Sequence, residues 1–174
     1  MGRIEYRALP VRAFPEYTVR IAGGAVTFGV EYRHLDEAVI LAEYGSDGRD
    51  LFDNKRPAGM SEVVEEDGLA LHVFDAATGN ELLRFDCFDV AAHYHFLTPS
   101  VPRNVVVEHD VAGDGPLVDW ALTEMRKNLG AMLTEAGAAD VAAKLDDDTV
   151  ATALDTVEQT ARYVIAAGRP VPVG

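Results

Sequence analysis

The sequence predicts an α+β fold, an antiparallel β-meander sheet packed against two long C-terminal helices. Runs of alternating apolar and polar residues, joined by hairpin-length connections, fill the first two thirds of the chain. Apolar stripes stepping by three and four fill the last third. Strands therefore precede helices instead of alternating with them, which argues against a parallel βαβ sheet. The 174 residues fit one domain, mainly antiparallel β over 1–112, with a long loop at 45–61, and helical over 113–168.

Ile4 to Leu9 reads as a short first strand stopped by Pro10. Tyr17, Val19 and Ile21, then Gly23-Gly24, then Val26, Phe28, Val30 and Tyr32 form a hairpin pattern, since glycines take positive φ at little steric cost. Leu35, Ala38, Val39 and Ala42 suit a short helix capped by Asp36 and ended by Gly45, although Val39-Ile40-Leu41 would also suit a buried strand. Residues 45–61 carry Gly, Asp, Asn and Pro without a period, as loops do. Val63 and Val64 lead into Asp67-Gly68, a tight-turn pair, followed by strands at Leu69–Phe74 and Glu81–Phe88 around a loop at Ala76–Asn80. That loop length puts Leu69, Leu71, Val73, Leu83, Phe85 and Cys87 on one face. The other face then carries Ala70, His72, Phe74, Leu82, Arg84 and Asp86. Further strands are expected at His93–Leu97 and Asn104–Asp110, separated by a segment containing Pro99 and Pro102. Asp114-Gly115-Pro116 starts a helix whose stripe is Val118, Leu122, Met125, Leu129, Met132 and Ala136, up to Gly137. A short helical piece at Ala138–Leu145 comes next. The last helix has carboxylates at its positive end, a stripe of Val150, Leu154, Val157, Ala161 and Val164, and Gly168 with Pro170 as a stop.

Composition narrows the function. With a net charge of −14, and three lysines against twelve arginines, the surface would repel a phosphate backbone, so nucleic acid is not an expected partner. Without a signal-like or membrane-length apolar run, a cytoplasmic protein without a membrane partner is expected. One cysteine excludes an internal disulfide and a Cys-rich zinc site. Cys87 falls on the apolar face and reads as core. Neither a phosphate-binding glycine loop nor a Gly-x-Ser-x-Gly elbow is present.

Chemistry concentrates between Phe85 and Phe96, where Asp86, Asp89, Cys87, His93 and His95 lie among aromatics. Two residues apart on a strand, His93 and His95 project from the same face with Cα atoms about 6.5 to 7 Å apart. Such a pair can converge on one divalent transition metal if neighbouring strands supply a third group, for which Asp86, His109, His72 and Glu108 are the candidates. We take His93, His95 and His109 as the metal set. Alternatively, His93 or His95 acts as a base oriented by Asp86 or Asp89, or the imidazoles are structural and each is bonded to a carboxylate or carbonyl. Arg84, His72 and Tyr94 are the candidate substrate-binding groups. The cupin barrel motif also begins with His-x-His, but it needs a glutamate a few residues on. Here Phe96-Leu97-Thr98-Pro99 follows, and the match fails.

The run Glu81-Leu82-Leu83-Arg84-Phe85-Asp86-Cys87-Phe88-Asp89 followed by His93-Tyr94-His95, and the later Gly113-Asp114-Gly115-Pro116-Leu117-Val118-Asp119-Trp120, resemble motifs of a family of small uncharacterised bacterial proteins. The resemblance covers about half the chain, marks the stretch as a unit and supplies no mechanism. The expected function is a metabolite-processing enzyme with a pocket centred on His93 and His95, acting on a small anionic or phenolic molecule. The alternative is a non-catalytic binding or assembly subunit with structural histidines and a homodimer interface through the C-terminal helices.

Overall fold

The computed structural model describes residues 2–45, 65–89 and 91–173. Among these residues seven strands form one antiparallel sheet: β1 (Arg3–Tyr6), β2 (Val19–Gly23), β3 (Val26–Asp36), β4 (Glu65–Asp75), β5 (Glu81–Phe88), β6 (His93–Thr98) and β7 (Arg103–Glu108). Their spatial order is β1-β7-β6-β5-β4-β3-β2. From β2 to β7 the sheet is the expected meander. Strand β1 is the exception, because it pairs with β7 at the far edge.

That exception accounts for the layer over one face of the sheet. Six strand spacings of about 4.8 Å separate β1 from β2, so the connecting residues 7–18 have to cross roughly 29 Å of sheet. Among the described residues this strap has no strand neighbour for its peptide groups, which find partners below them. Charged side chains of the sheet provide them. Arg33 Nη2 donates to the carbonyls of Val11 (2.9 Å) and Arg12 (3.2 Å), and Arg84 Nη1 donates to Val11 (2.7 Å). Glu31 Oε2 accepts from the Phe14 amide at 2.9 Å and from the Thr18 hydroxyl. Beside these bonds Val11, Leu35, Ile40 and Phe88 form a small apolar cluster with Phe14, Val39 and Tyr44.

Helix α1 (Glu37–Tyr44) belongs to this layer. Its cap is the expected one, with Asp36 accepting from the Val39 amide at 2.9 Å and Gly45 ending it at φ 65°. The long loop expected at 45–61 lies, except for Gly45, outside the described residues.

The opposite face carries the main core. After a short turn of helix α2 (Val111–Asp114) come α3 (Leu117–Glu135), the one-turn α4 (Ala139–Ala142) and α5 (Asp147–Ala167). On α3 the stripe Val118, Leu122, Met125, Leu129 and Met132 is buried, and on α5 Val150, Leu154, Val157, Ala161 and Val164. These pack on Val26, Phe28, Val30, Leu69, Leu71, Val73, Leu83, Phe85, Phe96, Val105 and Val107 of the sheet. Each fully buried Val or Leu contributes about 1.5–3 kcal/mol relative to exposure. Helix α5 is capped by Asp146, which accepts from the Thr149 amide at 2.9 Å, and closed by Gly168 in the left-handed region at φ 58°. No described helix is long and apolar enough to cross a membrane.

Several local expectations are corrected. The first strand is Arg3–Tyr6, shorter than Ile4–Leu9 and displaced toward the start of the chain. The β2–β3 turn is Gly24-Ala25, since Gly23 already pairs with Val26 and Gly24 alone of the two glycines takes positive φ, at 76°. Asp67-Gly68 is no turn but part of β4, where Gly68 pairs with Phe88 and an added Cβ would meet the Phe88 ring at 2.9 Å. The β4–β5 register is as expected from Leu69↔Cys87 to Val73↔Leu83, but Phe74 pairs with Glu81. Leu82 is thus the extra residue of a bulge and joins the helix-side core instead of the mixed face. The bulge delivers Glu81 to the mixed face in its place.

Candidate metal centre

Strand parity puts Glu31 and Arg33 of β3, His72 of β4, Arg84 and Asp86 of β5, and His93 and His95 of β6 on the strap-covered face. They divide into two connected groups. In the first, Glu81 binds Arg84 through both oxygens, with Nε at 2.8 Å and Nη2 at 2.6 Å, and also lies 2.6 Å from His72 Nδ1. His72 Nε2 is 3.6 Å from Glu31 Oε1, and Arg33 Nη1 is 3.0 Å from the same oxygen. Burial would raise the Glu81 carboxyl, but the charges of Arg84 and His72 outweigh it and hold the group well below the usual carboxylate range. Burial pushes the His72 imidazole down, yet Glu81 and Glu31 on either side raise it above its ordinary value.

The second group is Asp86, His93 and His95. One ligand atom from each lies within 4.8 Å of the other two. Asp86 Oδ2 is 3.0 Å from His95 Nε2 and 3.4 Å from His93 Nε2. The far nitrogen of each ring is already held, His93 Nδ1 by the Ala91 carbonyl at 2.7 Å and His95 Nδ1 by Asn104 Oδ1 at 2.8 Å. A carbonyl only accepts, so Nδ1 of His93 carries a hydrogen and Nε2 is the ring atom turned toward the carboxylate. Ala91 holds its carbonyl there from φ 56°, the one positive-φ position of a non-glycine among the described residues.

Asp86 Oδ1 is buried without a hydrogen-bond partner among the described residues. Burial raises the Asp86 carboxyl, but the His95 hydrogen bond and the Arg84 charge more than reverse this and keep it ionised. Burial is also the largest influence on His95 and lowers it, favouring the neutral ring. The side chain of His93 is 19% exposed against 5% for Asp86 and His95, so the cluster opens toward the surface at His93.

Chemically, these are two imidazole nitrogens and one carboxylate oxygen, a donor set for zinc or another divalent transition metal. Ligands about 2.0–2.2 Å from a tetrahedral ion stand about 3.3–3.6 Å apart, close to the Asp86 separations. The two ring nitrogens are bounded by a wider span, 4.8 Å, so the set can hold such an ion once the rings draw together.

Other residues singled out in the sequence stand elsewhere. His109 has the strand parity of Val105 and Val107, so its ring packs 5.3 Å from Trp120 on the helix side, with Nε2 2.8 Å from the Gly115 carbonyl. It does not join His93 and His95, and Asp86 occupies the third place expected of it. Tyr94 is also on the helix side, stacked on Phe85 and 4.9 Å from Trp120. Arg84 and His72 are on the expected face but wholly buried beneath the strap and committed to Glu81 and Val11. Cys87 lies against the helix-side core, and burial pushes its thiol well above the ordinary value. Glu31, Arg33, Glu81, Ala91 and Asn104 are site residues that no metal-binding or catalytic motif in the sequence marks. Parity from Val30 and Tyr32 flags the first two, and counting back from His95 across the β6–β7 turn flags Asn104. Nothing local marks Ala91 or the bulge that re-aims Glu81.

A buried face of an antiparallel α+β sheet, carrying a three-residue His/Asp cluster able to hold a metal, is thus the class of structure in hand. The chain belongs to the family described as a domain of unknown function, DUF7700, whose model matches residues 20–161. No curated protein and no solved structure matches it.

Proposed function

We propose that Asp86, His93 and His95 hold one divalent transition-metal ion and that the chain is a metal-dependent enzyme acting on a small molecule that approaches past His93. The observation that carries this reading is the convergence of the three donors while the distal nitrogen of both rings is occupied. Two Nε2 lone pairs facing one carboxylate oxygen repel it unless a proton or a metal ion lies between them. Three protein ligands among the described residues, where structural zinc sites use four, leave positions for a water or substrate to be polarised. With no thiolate in the set, zinc, iron(II), manganese, cobalt or nickel is favoured over copper(I).

A second reading, acid–base chemistry without an ion, has one observation in its favour, the ionised Asp86 beside the partly exposed His93. The assembly-subunit alternative has less support, because the apolar stripes of α3 and α5 are used against their own sheet. Elemental analysis of purified protein, followed by titration of the metal-free form with zinc, manganese, cobalt and iron(II), decides between the first two. Near-stoichiometric uptake that disappears in His93→Ala and Asp86→Asn is expected. A wild-type protein that takes up none of the four would end the metal reading.

A further inference from the structure

We propose that Asn104 is the positioning residue of this centre, a proposal that rests on the metal reading above. The β6–β7 pairing sets Leu97 opposite Asn104 and Val106 opposite His95, so Asn104 and His95 are diagonal neighbours on one face. Both are buried, and the amide oxygen meets His95 Nδ1 at 2.8 Å. In the metal-free protein Nε2 hydrogen-bonds Asp86 Oδ2 at 3.0 Å; when an ion displaces that proton, the Asn104 contact keeps the hydrogen on Nδ1 and leaves the Nε2 lone pair for the ion. His95 can then ligate only through Nε2, with its ring plane fixed from behind.

The choice of an amide also has a chemical consequence. A carboxylate behind a metal-bound imidazole raises the basicity of the ligand, whereas a neutral amide orients the ring without adding charge. His95 is therefore a directed but weakly basic donor. The Ala91 carbonyl does the same for His93. Both imidazoles are thus backed by uncharged oxygens, and among the described residues the donor set carries one formal negative charge, Asp86, with the Glu66 carboxyl close enough to act on His93 and Asp86. An ion held this way stays electrophilic toward whatever occupies its open positions.

The test compares zinc affinity, by competition with a chromophoric chelator, in wild type, Asn104→Leu and Asn104→Asp, together with imidazole ¹⁵N NMR of the zinc-loaded wild type. Asn104→Leu is expected to weaken zinc binding about 10- to 100-fold, the usual cost of losing an outer partner. Asn104→Asp, which keeps an acceptor, is expected to bind at least as tightly as wild type, and the spectrum to show His95 protonated at Nδ1. A purely structural role for Asn104 would lower thermal stability while leaving affinity unchanged, and that result overturns the proposal. So does a His95 ring that ligates through Nδ1. If Asn104→Leu does not fold, the aspartate variant and the spectrum still decide. A wild type that binds no zinc or other divalent metal fails the metal reading and this inference together. One that binds zinc, loses it in Asp86→Asn and is indifferent at position 104 fails this inference alone.

Discussion

Replacing Glu81 by glutamine removes one charge and keeps the shape, which makes it a direct probe of the buried network under the strap. Glu81 makes three short contacts, two to the Arg84 guanidinium at 2.8 and 2.6 Å and one to His72 at 2.6 Å. An amide can satisfy one or two of these donors but cannot neutralise the guanidinium, which is buried and fixed to Val11. Removing one partner of a buried ion pair costs about 3–5 kcal/mol, because the other charge is left without compensation. Glutamine's remaining oxygen places the expected loss near the lower end, about 3 kcal/mol, a large part of the 5–15 kcal/mol typical of a domain. Urea denaturation followed by circular dichroism would show it as a lower midpoint at unchanged slope. If the two groups work as a unit, Arg84→Gln in the Glu81→Gln background costs less than in wild type, with a coupling of about 0.5–3 kcal/mol. A loss below about 1 kcal/mol for Glu81→Gln, or strict additivity in the double variant, would refute the account of Glu81 as the charge that makes Arg84 tolerable there.

Stability should depend on pH from both sides of the same network. The folded-state value of Glu81 is lowered, so its contribution is present above its unfolded value of about 4.3 and is lost as pH falls through the folded value. That of His72 is raised, so its contribution is complete below about 6.5 and is lost as pH rises through the folded value. Denaturation midpoints across pH should show the second decline flattened in His72→Gln. Asp86→Asn should abolish metal uptake in equilibrium dialysis while the protein keeps its wild-type far-ultraviolet spectrum. Ala91→Gly should relieve a left-handed backbone and raise stability by about 0.5–1 kcal/mol, measured by thermal unfolding, with Ala91→Val shifting it the other way.

Much of this architecture can be read along the chain. The meander, the Asp36 cap, the two striped helices and their glycine stops follow from period and local chemistry, because each is decided by residues within a turn or a hairpin of one another. The pairing of Leu69 with Cys87 followed from a five-residue loop, and with it the shared face of His72, Arg84 and Asp86. That shared face and the two-residue spacing of His93 and His95 make Asp86 a candidate for the third donor. The closeness of its strand in sequence favours His109, and parity defeats it: one residue's shift along β7 aims a side chain through to the helices.

What the sequence by itself determined is therefore the set of elements, the apolar face of each and the concentration of donors between Phe85 and Phe96. The tertiary structure alone decided that β1 crosses to β7, that the strap so formed buries Glu31, Arg33, His72 and Arg84, and that a bulge at Leu82 brings Glu81 among them. It alone placed Asn104 and the Ala91 carbonyl behind the two imidazoles. The physical reason is range. Caps, turns and periodicity are settled by interactions between near neighbours in the chain, whereas an edge strand's choice of partner, and the buried charges that this choice makes necessary, depend on segments about a hundred residues apart that meet only once the sheet has closed around its core.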